Sequence, residues 1–340
     1  MGNRFERHPV ATLAALLLAI LAAAEGALRL AAPGAIVFVH AARQVHRYSR
    51  RWAVDLRPGS RARLRLDGPG GRTILDFVLT VGPDAFRLPG GAPRPNPSGR
   101  YVHAVGDSYT MGWGVADDQS YPAILDSLLP DGPRVLNLGV DGFGAVGATE
   151  RSRELADRFP PAHVVYLFVP NDFEDDARSV RVVSRPVLLH AALEGLDVLR
   201  RHTYLANTPF AIRWHLVSAR APARSDARGD GGPGAGAVLD PDPGTLPAPD
   251  RSLPTFDRIS AFRRFLEARG ARFTVLALSG QPQSLACYRF CREEGIETHL
   301  IEVPPSLRIP LDDHFTPAGN AWLARFVRDR VLVDARGAKP

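Results

Sequence analysis

This sequence has almost no lysine and very little cysteine. Its 340 residues contain 42 Lys plus Arg, but the only lysine is Lys339 and the only cysteines are Cys287 and Cys291. Two cysteines are too few for a disulfide scaffold, and a four-residue spacing in a predicted helix bridges only with distortion, so both are expected as free thiols. The net charge of +6 is spread along the chain without a basic block and interleaved aromatics, which argues against a nucleic-acid partner.

Metal-binding patterns are also missing from the sequence. It has no CxxC pair and no HExxH stretch, so no zinc site is predicted, and no other cofactor is implied. An acidic cluster at Glu174, Asp175 and Asp176 has oxygen ligands of the type that cations prefer. We interpret it as a solvated loop face instead.

The first 35 residues are typical of an export signal. Arg4 and Arg7 precede an apolar run over 10–24, which extends to residue 28 as a helix of about 28 Å, just enough to span a bilayer core. The positive flank places the N-terminus in the cytoplasm and the rest of the chain outside. Because 22–24 is Ala-Ala-Ala, two alternatives stay open: an uncleaved signal anchor in the cell membrane, or a signal peptide whose removal leaves a secreted or periplasmic protein. A buried Ala/Leu helix is the least favoured reading.

Residues 36–100 predict a small β-rich appendage and a connector. Residues 61–66 alternate Arg with Ala and Leu, as an exposed strand does, and 73–80 form a second β-rich run. The Gly-Pro-Gly-Gly stretch at 68–71 predicts the turn between them. Residues 88–97 are rich in Pro and Gly and are interpreted as a connector.

From residue 101 to about 335 the pattern is that of an α/β domain. Short apolar runs at 101–105, 134–138, 164–169, 273–278 and 298–303 alternate with helical stretches at 121–129, 147–158 and 255–269. This alternation predicts a doubly wound parallel sheet. Thr316-Pro317 is a good N-cap and N1 pair for a last helix.

Two insertions interrupt this domain. Residues 180–218 are amphipathic and predict helices. Residues 219–254 are a Gly/Pro/Asp/Ala tract with little to bury, so a flexible loop is expected.

Four stretches in this domain carry residues suited to acyl transfer. They are Gly106-Asp107-Ser108, the run 137–142, Pro170-Asn171-Asp172 and Asp312-Asp313-His314. Ser108 is the candidate nucleophile and His314 the candidate general base, with a carboxylate beside it to hold its tautomer. The candidate oxyanion donors are the backbone N–H groups of Ser108 and Gly142 and the side-chain amide of Asn171.

In these four blocks the sequence resembles the SGNH hydrolases, also called the GDSL-type esterase/lipase family. That family is named for Ser, Gly, Asn and His, which match Ser108, Gly142, Asn171 and His314 in order. The resemblance covers about 101–333 apart from the insertions, and the surrounding pattern is similar to the family's membrane-anchored extracytoplasmic members. It implies a flavodoxin-like three-layer sandwich.

The sequence departs from the family pattern at two positions. The family's third block has a glycine where this chain has Val169. The family's triad acid lies three residues before the histidine, where this chain has Leu311. We therefore predict Asp312 as the acid and keep Asp313 as the alternative.

The function that these residues predict is a serine esterase. It would act on O-acyl, most simply acetyl, esters of a carbohydrate or a lipid through an acyl-enzyme. Its partners would be a small-molecule or glycan ester and, through the N-terminal segment, the membrane. Two alternatives stay open: an O-acyltransferase that modifies a cell-envelope polysaccharide, and a non-catalytic envelope-assembly or glycan-binding module.

Overall fold

The computed structural model describes residues 8–68, 71–90, 96, 98–213 and 236–332. In these residues the strands are β1 (His46–Ser49), β2 (Ala53–Leu56), β3 (Arg61–Asp67), β4 (Thr73–Thr80), β5 (Tyr101–Gly106), β6 (Arg134–Asn137), β7 (Pro161–Phe168), β8 (Ala237–Leu239), β9 (Arg272–Leu278) and β10 (Glu297–Glu302). The α-helices are α1 (Pro9–Ala31), α2 (Gly34–Val45), α3 (Ser108–Met111), α4 (Tyr121–Ser127), α5 (Ala145–Leu155), α6 (Asp172–Val183), α7 (Val187–His202), α8 (Pro254–Glu267), α9 (Pro282–Glu293) and α10 (Pro317–Phe326).

The main sheet has the strand order β6-β5-β7-β9-β10-β8. All its neighbouring strands are parallel except β8, which pairs antiparallel with β10. Counted from β5, the parallel part has the flavodoxin-like order 2-1-3-4-5, in which ligands bind where the order reverses, between β5 and β7. The predicted doubly wound parallel sheet is confirmed, and each predicted strand of the domain corresponds to one observed strand.

Helices cover both faces of this sheet, because its central strands are apolar on both sides. In β7, Val164 and Tyr166 lie in a core with α8 and α9, whereas Val165 and Leu167 lie in a second core with α4 and α10. The last helix begins as predicted: Thr316 accepts a hydrogen bond from the Gly319 N–H at 3.1 Å. Cys287 and Cys291 are free and buried, as expected.

The edge strand β8 differs from the flexible loop that was expected over 219–254. Its Leu239 packs beside a small core that contains Tyr288 and Leu300, and the Tyr288 hydroxyl donates to Asp240 at 3.0 Å. A few apolar residues thus suffice for pairing when an open sheet edge supplies the partner. Residues 219–235 of that tract, and 214–218 of the predicted helical insertion, lie outside the described residues.

The appendage combines the predicted β3-β4 hairpin with elements that were not predicted. These are helix α2 and the β1-β2 hairpin. Its core is continuous with loops at the carboxyl ends of β5 and β6. The members of this shared core include Phe38, Trp52, Leu64 and Phe77 from the appendage, and Met111, Val140, Phe143 and Ile309 from the α/β domain. The appendage is therefore packed on the end of the domain where the site lies.

Helix α1 is the only helix in the described part of the chain that is long and apolar enough to cross a membrane. None of its residues is buried. Its last turns contact the helical insertion. Glu25 accepts hydrogen bonds from the N–H groups of Tyr204 and Leu205, and Arg29 donates to the carbonyl of His202.

A buried arginine connects the appendage to the loop after α3. Arg87 follows β4 and its side chain is fully buried. Its acceptors are the carboxylate of Asp117 and the carbonyls of Val78, Met111, Gly112 and Val115. Five acceptors around one planar cation satisfy its charge without water, which is the condition for burying an arginine.

We expect Arg87→Leu to lower the free energy of unfolding by about 3–5 kcal/mol, because it leaves Asp117 and the carbonyls buried without their donor. Urea denaturation of the full chain in detergent measures this. Arg63→Leu is the matched control, since Arg63 pairs with Asp76 on the exposed face of the same appendage. Equal midpoints for the two variants would contradict the role given to Arg87.

Candidate active site

The structure brings Ser108, His314 and Asp312 together in a chain of two hydrogen bonds. The Ser108 Oγ lies 2.8 Å from Nε2 of His314, and Nδ1 of the same ring lies 2.5 Å from Oδ1 of Asp312. With Nδ1–H donating to the carboxylate, Nε2 is the acceptor for the serine proton. This is the geometry that a serine nucleophile and its general base require.

Ser108 is presented by a sharp turn from β5 into α3. At Gly106 φ is +149°, and a Cβ there would lie 2.5 Å from Thr110 Oγ1 and 2.9 Å from the Leu167 carbonyl. Only glycine allows this approach. Asp107 then caps the helix, since its carboxylate accepts from the Tyr109 N–H at 2.9 Å.

His314 lies on a tight loop between Arg308 and Phe315, which form an isolated β-bridge. Within the loop the Ile309 N–H donates to the carbonyl of His314 at 2.7 Å. Leu311 and Asp313 both have left-handed backbones, with φ of +71° and +72°. The left-handed Asp313 stands between acid and base, and this turn lets a carboxylate two positions before the histidine reach the ring.

Asp313, the alternative acid, points elsewhere. Its carboxylate accepts from the guanidinium of Arg308 at 3.0 Å. Its carbonyl accepts from the Tyr109 hydroxyl at 3.2 Å, and the Tyr109 ring lies against the imidazole of His314 with centroids 4.6 Å apart. Asp313 thus helps to hold the loop, and its carboxylate is engaged by Arg308.

The charges around His314 favour its protonated form. Burial alone lowers the pKa of His314, but the hydrogen bond and charge of Asp312, together with the charges of Asp107 and Asp141, raise it above its ordinary value. Asp107 is itself buried, and burial raises the pKa of its carboxyl to about 6. An imidazolium formed during reaction is therefore stabilised.

Asn171 lies at the N-terminus of α6, next to the serine turn. Its Nδ2 donates to Asp175 at 2.8 Å and lies 3.4 Å from Asp107 Oδ2. The first bond is strong and fixes the amide; the second is at the outer limit of hydrogen-bond distance. One amide hydrogen is thus held by Asp175, and the other points to the serine turn, where its long contact with Asp107 is weak enough for an oxyanion to replace it.

The two backbone donors also suit an oxyanion. In the described residues neither the Ser108 N–H nor the Gly142 N–H has a hydrogen-bond acceptor within the protein. Gly142 has φ of +74°, which favours glycine at this turn. Unpaired N–H groups are what an oxyanion site needs.

The third block differs from one expectation drawn from the sequence. Asp175 and Asp176 are buried on α6, so they are not a solvated loop face. Asp176 accepts from the Val146 N–H and the Thr255 hydroxyl, and burial raises its pKa to about 6. Val169, in the family's glycine position, is fully buried in the core. In the described part of the chain no group of His, Cys, Asp and Glu could hold a metal ion.

A polar cavity of about 340 Å³ is lined by Tyr109, Asn171 and Asp313, which belong to the serine turn, the start of α6 and the histidine loop. Besides Tyr109, Asn171 and Asp313, the polar groups that line it are Glu174, Ser279, Gln281, Gln283 and Arg308. They follow β7, β9 and β10 at the carboxyl edge of the sheet, with Glu174 and Gln283 in the first turns of α6 and α9. The sequence does not reveal this cavity, because Glu174, Ser279, Gln281, Gln283 and Arg308 are separated in sequence and lie outside the four motif stretches.

Solved structures that resemble this chain include GDSL-type hydrolases. TesA is 15% identical with a TM-score of 0.39, covering 67% of this chain and 96% of its own. The psychrotrophic esterase EstA from Pseudoalteromonas sp. is 10% identical with a TM-score of 0.39, and the match covers 70% of this chain and 99% of EstA. A GDSL-like lipase from Bacteroides thetaiotaomicron is 12% identical with a TM-score of 0.37, and the match covers 72% of this chain and 94% of the lipase.

No protein-family model and no curated protein matches the sequence. The structural likenesses are too weak to transfer chemistry to this chain. The assignment of the site therefore depends on its own geometry.

We expect Asp312→Asn to lower kcat on the order of 10⁴-fold, because an amide neither holds the right tautomer nor stabilises the imidazolium. His314 must be neutral to act as the base, and its pKa is raised above the ordinary value of about 6.5. In the unmodified chain kcat/KM therefore falls as the pH drops through this raised pKa. Asp312→Asn moves that acidic limb to lower pH. Asp313→Asn is the control and keeps both rate and profile; the reverse result would make Asp313 the acid.

Asp175→Ala tests the support of Asn171. Without the 2.8 Å bond the amide loses its orientation, so we expect kcat to fall roughly 10- to 100-fold, with KM little changed, because the donor acts mainly in the transition state. Asp175→Asn retains an acceptor oxygen and should restore most of the rate. Arg178→Ala removes only the exposed partner of Asp175 and should leave kcat unchanged. An Asp175→Ala variant with full kcat contradicts this role.

Proposed function

We propose that this chain is a serine esterase that removes O-acyl groups, acetyl in the simplest case, through an acyl-enzyme on Ser108. The observation that carries this proposal is the hydrogen-bonded chain from Ser108 through His314 to Asp312. It supplies a nucleophile, a base and a carboxylate at bonding distance. No cofactor is needed for this chemistry.

The first half-reaction forms the acyl-enzyme. Ser108 Oγ attacks the ester carbonyl carbon as its proton passes to Nε2 of His314. The carbonyl oxygen becomes an oxyanion, which the N–H groups of Ser108 and Gly142 and the amide of Asn171 would stabilise, each by about 3–4 kcal/mol. The bond to the alcohol oxygen then breaks, and His314 returns the proton to that oxygen.

The second half-reaction releases the acyl group. A water molecule or an alcohol attacks the acyl carbon, and His314 removes its proton and returns it to Ser108 Oγ. Water as the attacking group gives a hydrolase, and a sugar hydroxyl gives a transferase. After either reaction, Ser108 and His314 are back in their starting protonation states.

The polar cavity favours a hydroxyl-rich substrate over a lipid. Arg308, Gln281 and Gln283 offer donors and Glu174 an acceptor in this cavity, which Asn171 of the site also lines. A long acyl chain would instead need an apolar groove to remove it from water. We therefore favour an acetylated carbohydrate. The same cavity supports the O-acyltransferase as the second candidate, because it offers a place for an accepting sugar.

We further propose that the chain is a single-pass membrane protein with its catalytic domain outside the cytoplasm. The helix α1 has the length and composition for this role. It continues without a break through the Ala-Ala-Ala stretch at 22–24, and its Glu25 and Arg29 are bonded to the catalytic domain. These contacts support an anchor that is retained rather than a signal peptide that is removed.

Activity of the full chain toward p-nitrophenyl acetate in detergent tests the esterase. We expect Ser108→Ala to abolish p-nitrophenol release and labelling by a fluorophosphonate, because both need the serine alkoxide. Ser127→Ala, an exposed serine on α4, is the control. An unmodified chain that is folded but inert to both reagents would favour the non-catalytic module. With an acyl donor and oligosaccharides, acetyl found on the glycan indicates a transferase, and free acetate alone indicates an esterase.

A further inference from the structure

Helix α7 carries an apolar face that no described part of the chain covers. Leu188 is 84% exposed, Val187 71%, Val198 59% and Leu199 51%. The residues between them on this face, Ala191, Ala192 and Gly195, are exposed as well. This face is formed by uncharged residues at helical spacing, at positions 188, 191, 192, 195 and 199. Single exposed apolar residues are ordinary, but a continuous face of them marks an interaction surface.

The opposite face of α7 is polar and is attached to the protein. The His190 ring lies 2.8 Å from the Tyr48 hydroxyl, and Glu194 accepts two bonds from Arg50. Asp197 accepts from Arg57 at 3.0 Å. A surface helix of a soluble domain turns its apolar stripe to the core; α7 does the reverse. Its outward face is therefore built for an apolar environment.

Neighbouring segments carry further exposed apolar residues. Val180 and Val183 are exposed on α6, just before α7, and Phe210 and Ile212 are exposed just after it. All belong to the helical insertion that interrupts the α/β domain. We call these four residues and the outward face of α7 the insertion surface.

The insertion surface is tied to the end of the membrane helix. The chain that follows α7 holds the last turns of α1 through the bonds of Glu25 to Tyr204 and Leu205 and of Arg29 to His202. Residues 9–24 of α1, which precede these contacts, make about 24 Å of helix at 1.5 Å per residue. A hydrocarbon core is about 30 Å thick, so an α1 that spans it carries these contacts, and the insertion with them, to the membrane surface.

We propose that the insertion surface lies in the outer interface of the same membrane, with α7 in the membrane plane and its apolar face among the acyl chains. This proposal depends on the membrane anchoring proposed above. Arg29, Arg181 and Arg201 are exposed on the segments around this surface and suit lipid phosphates. An apolar face with arginines beside it is the pattern of an interfacial helix. The catalytic domain would then be held at the bilayer by two contacts instead of one flexible tether.

The test measures lipid contact in the full chain reconstituted into phosphatidylcholine/phosphatidylglycerol nanodiscs. Leu188→Cys and Leu199→Cys are each labelled with an environment-sensitive fluorophore; the native cysteines are buried. We expect loss of fluorescence with lipids that carry a nitroxide on the acyl chain, and protection from aqueous iodide. Asp157→Cys, at a residue that is 91% exposed in its side chain, should show the opposite. Iodide quenching of Leu188→Cys as strong as that of Asp157→Cys overturns the proposal.

Two further variants separate the possible failures. Leu16→Cys, in the middle of α1, should be quenched by the lipid nitroxide. If it is not, the anchor itself is wrong and this proposal falls with it. If Leu16 contacts lipid and Leu188 contacts water, only the insertion proposal fails. Shielding of Leu188 that disappears when each disc holds one chain indicates a second copy as the occupant and also overturns the proposal. Esterase activity, measured separately in detergent, does not depend on these outcomes.

Discussion

The hydrogen bonds at the two nitrogens of His314 are the constraint around which the catalytic end of this protein is organised. One nitrogen reaches a serine 206 residues earlier in the chain, and the other reaches a carboxylate two residues away. Both bonds need the ring in one orientation. The Tyr109 ring lies against it, and the loop with two left-handed residues brings the acid into range. A parallel sheet makes the long connection feasible, because it gathers the ends of separate strands at one edge.

The appendage is part of the framework of this edge. Its core includes three residues of the α/β domain. Met111 follows the serine turn, Val140 precedes Gly142, and Ile309 lies in the loop of His314. Arg87 strengthens the connection by bonding the carbonyls that follow α3. A region without catalytic residues thus fixes the backbone around residues that have them. This explains why a buried arginine occurs just before the connector.

The helical insertion has a different relation to the fold. Its polar residues bond to the appendage and its apolar residues face outward. An apolar environment would suit its outer face better than water does. Joined to α1, it suggests a catalytic domain oriented relative to a bilayer, which would present the polar cavity to substrates of the cell envelope.

The local patterns of the sequence determined the strands, the parallel sheet and the four blocks of the site, because apolar periodicity and strand-end turns depend on near neighbours. They did not decide between Asp312 and Asp313. That choice follows from backbone angles in the loop and from Arg308, which takes the second carboxylate. The burial of Asp175, the pairing of β8 and the outward apolar face of α7 were likewise decided by tertiary structure. In each case the partner lies elsewhere in the fold, and the chemistry of a side chain depends on which groups surround it.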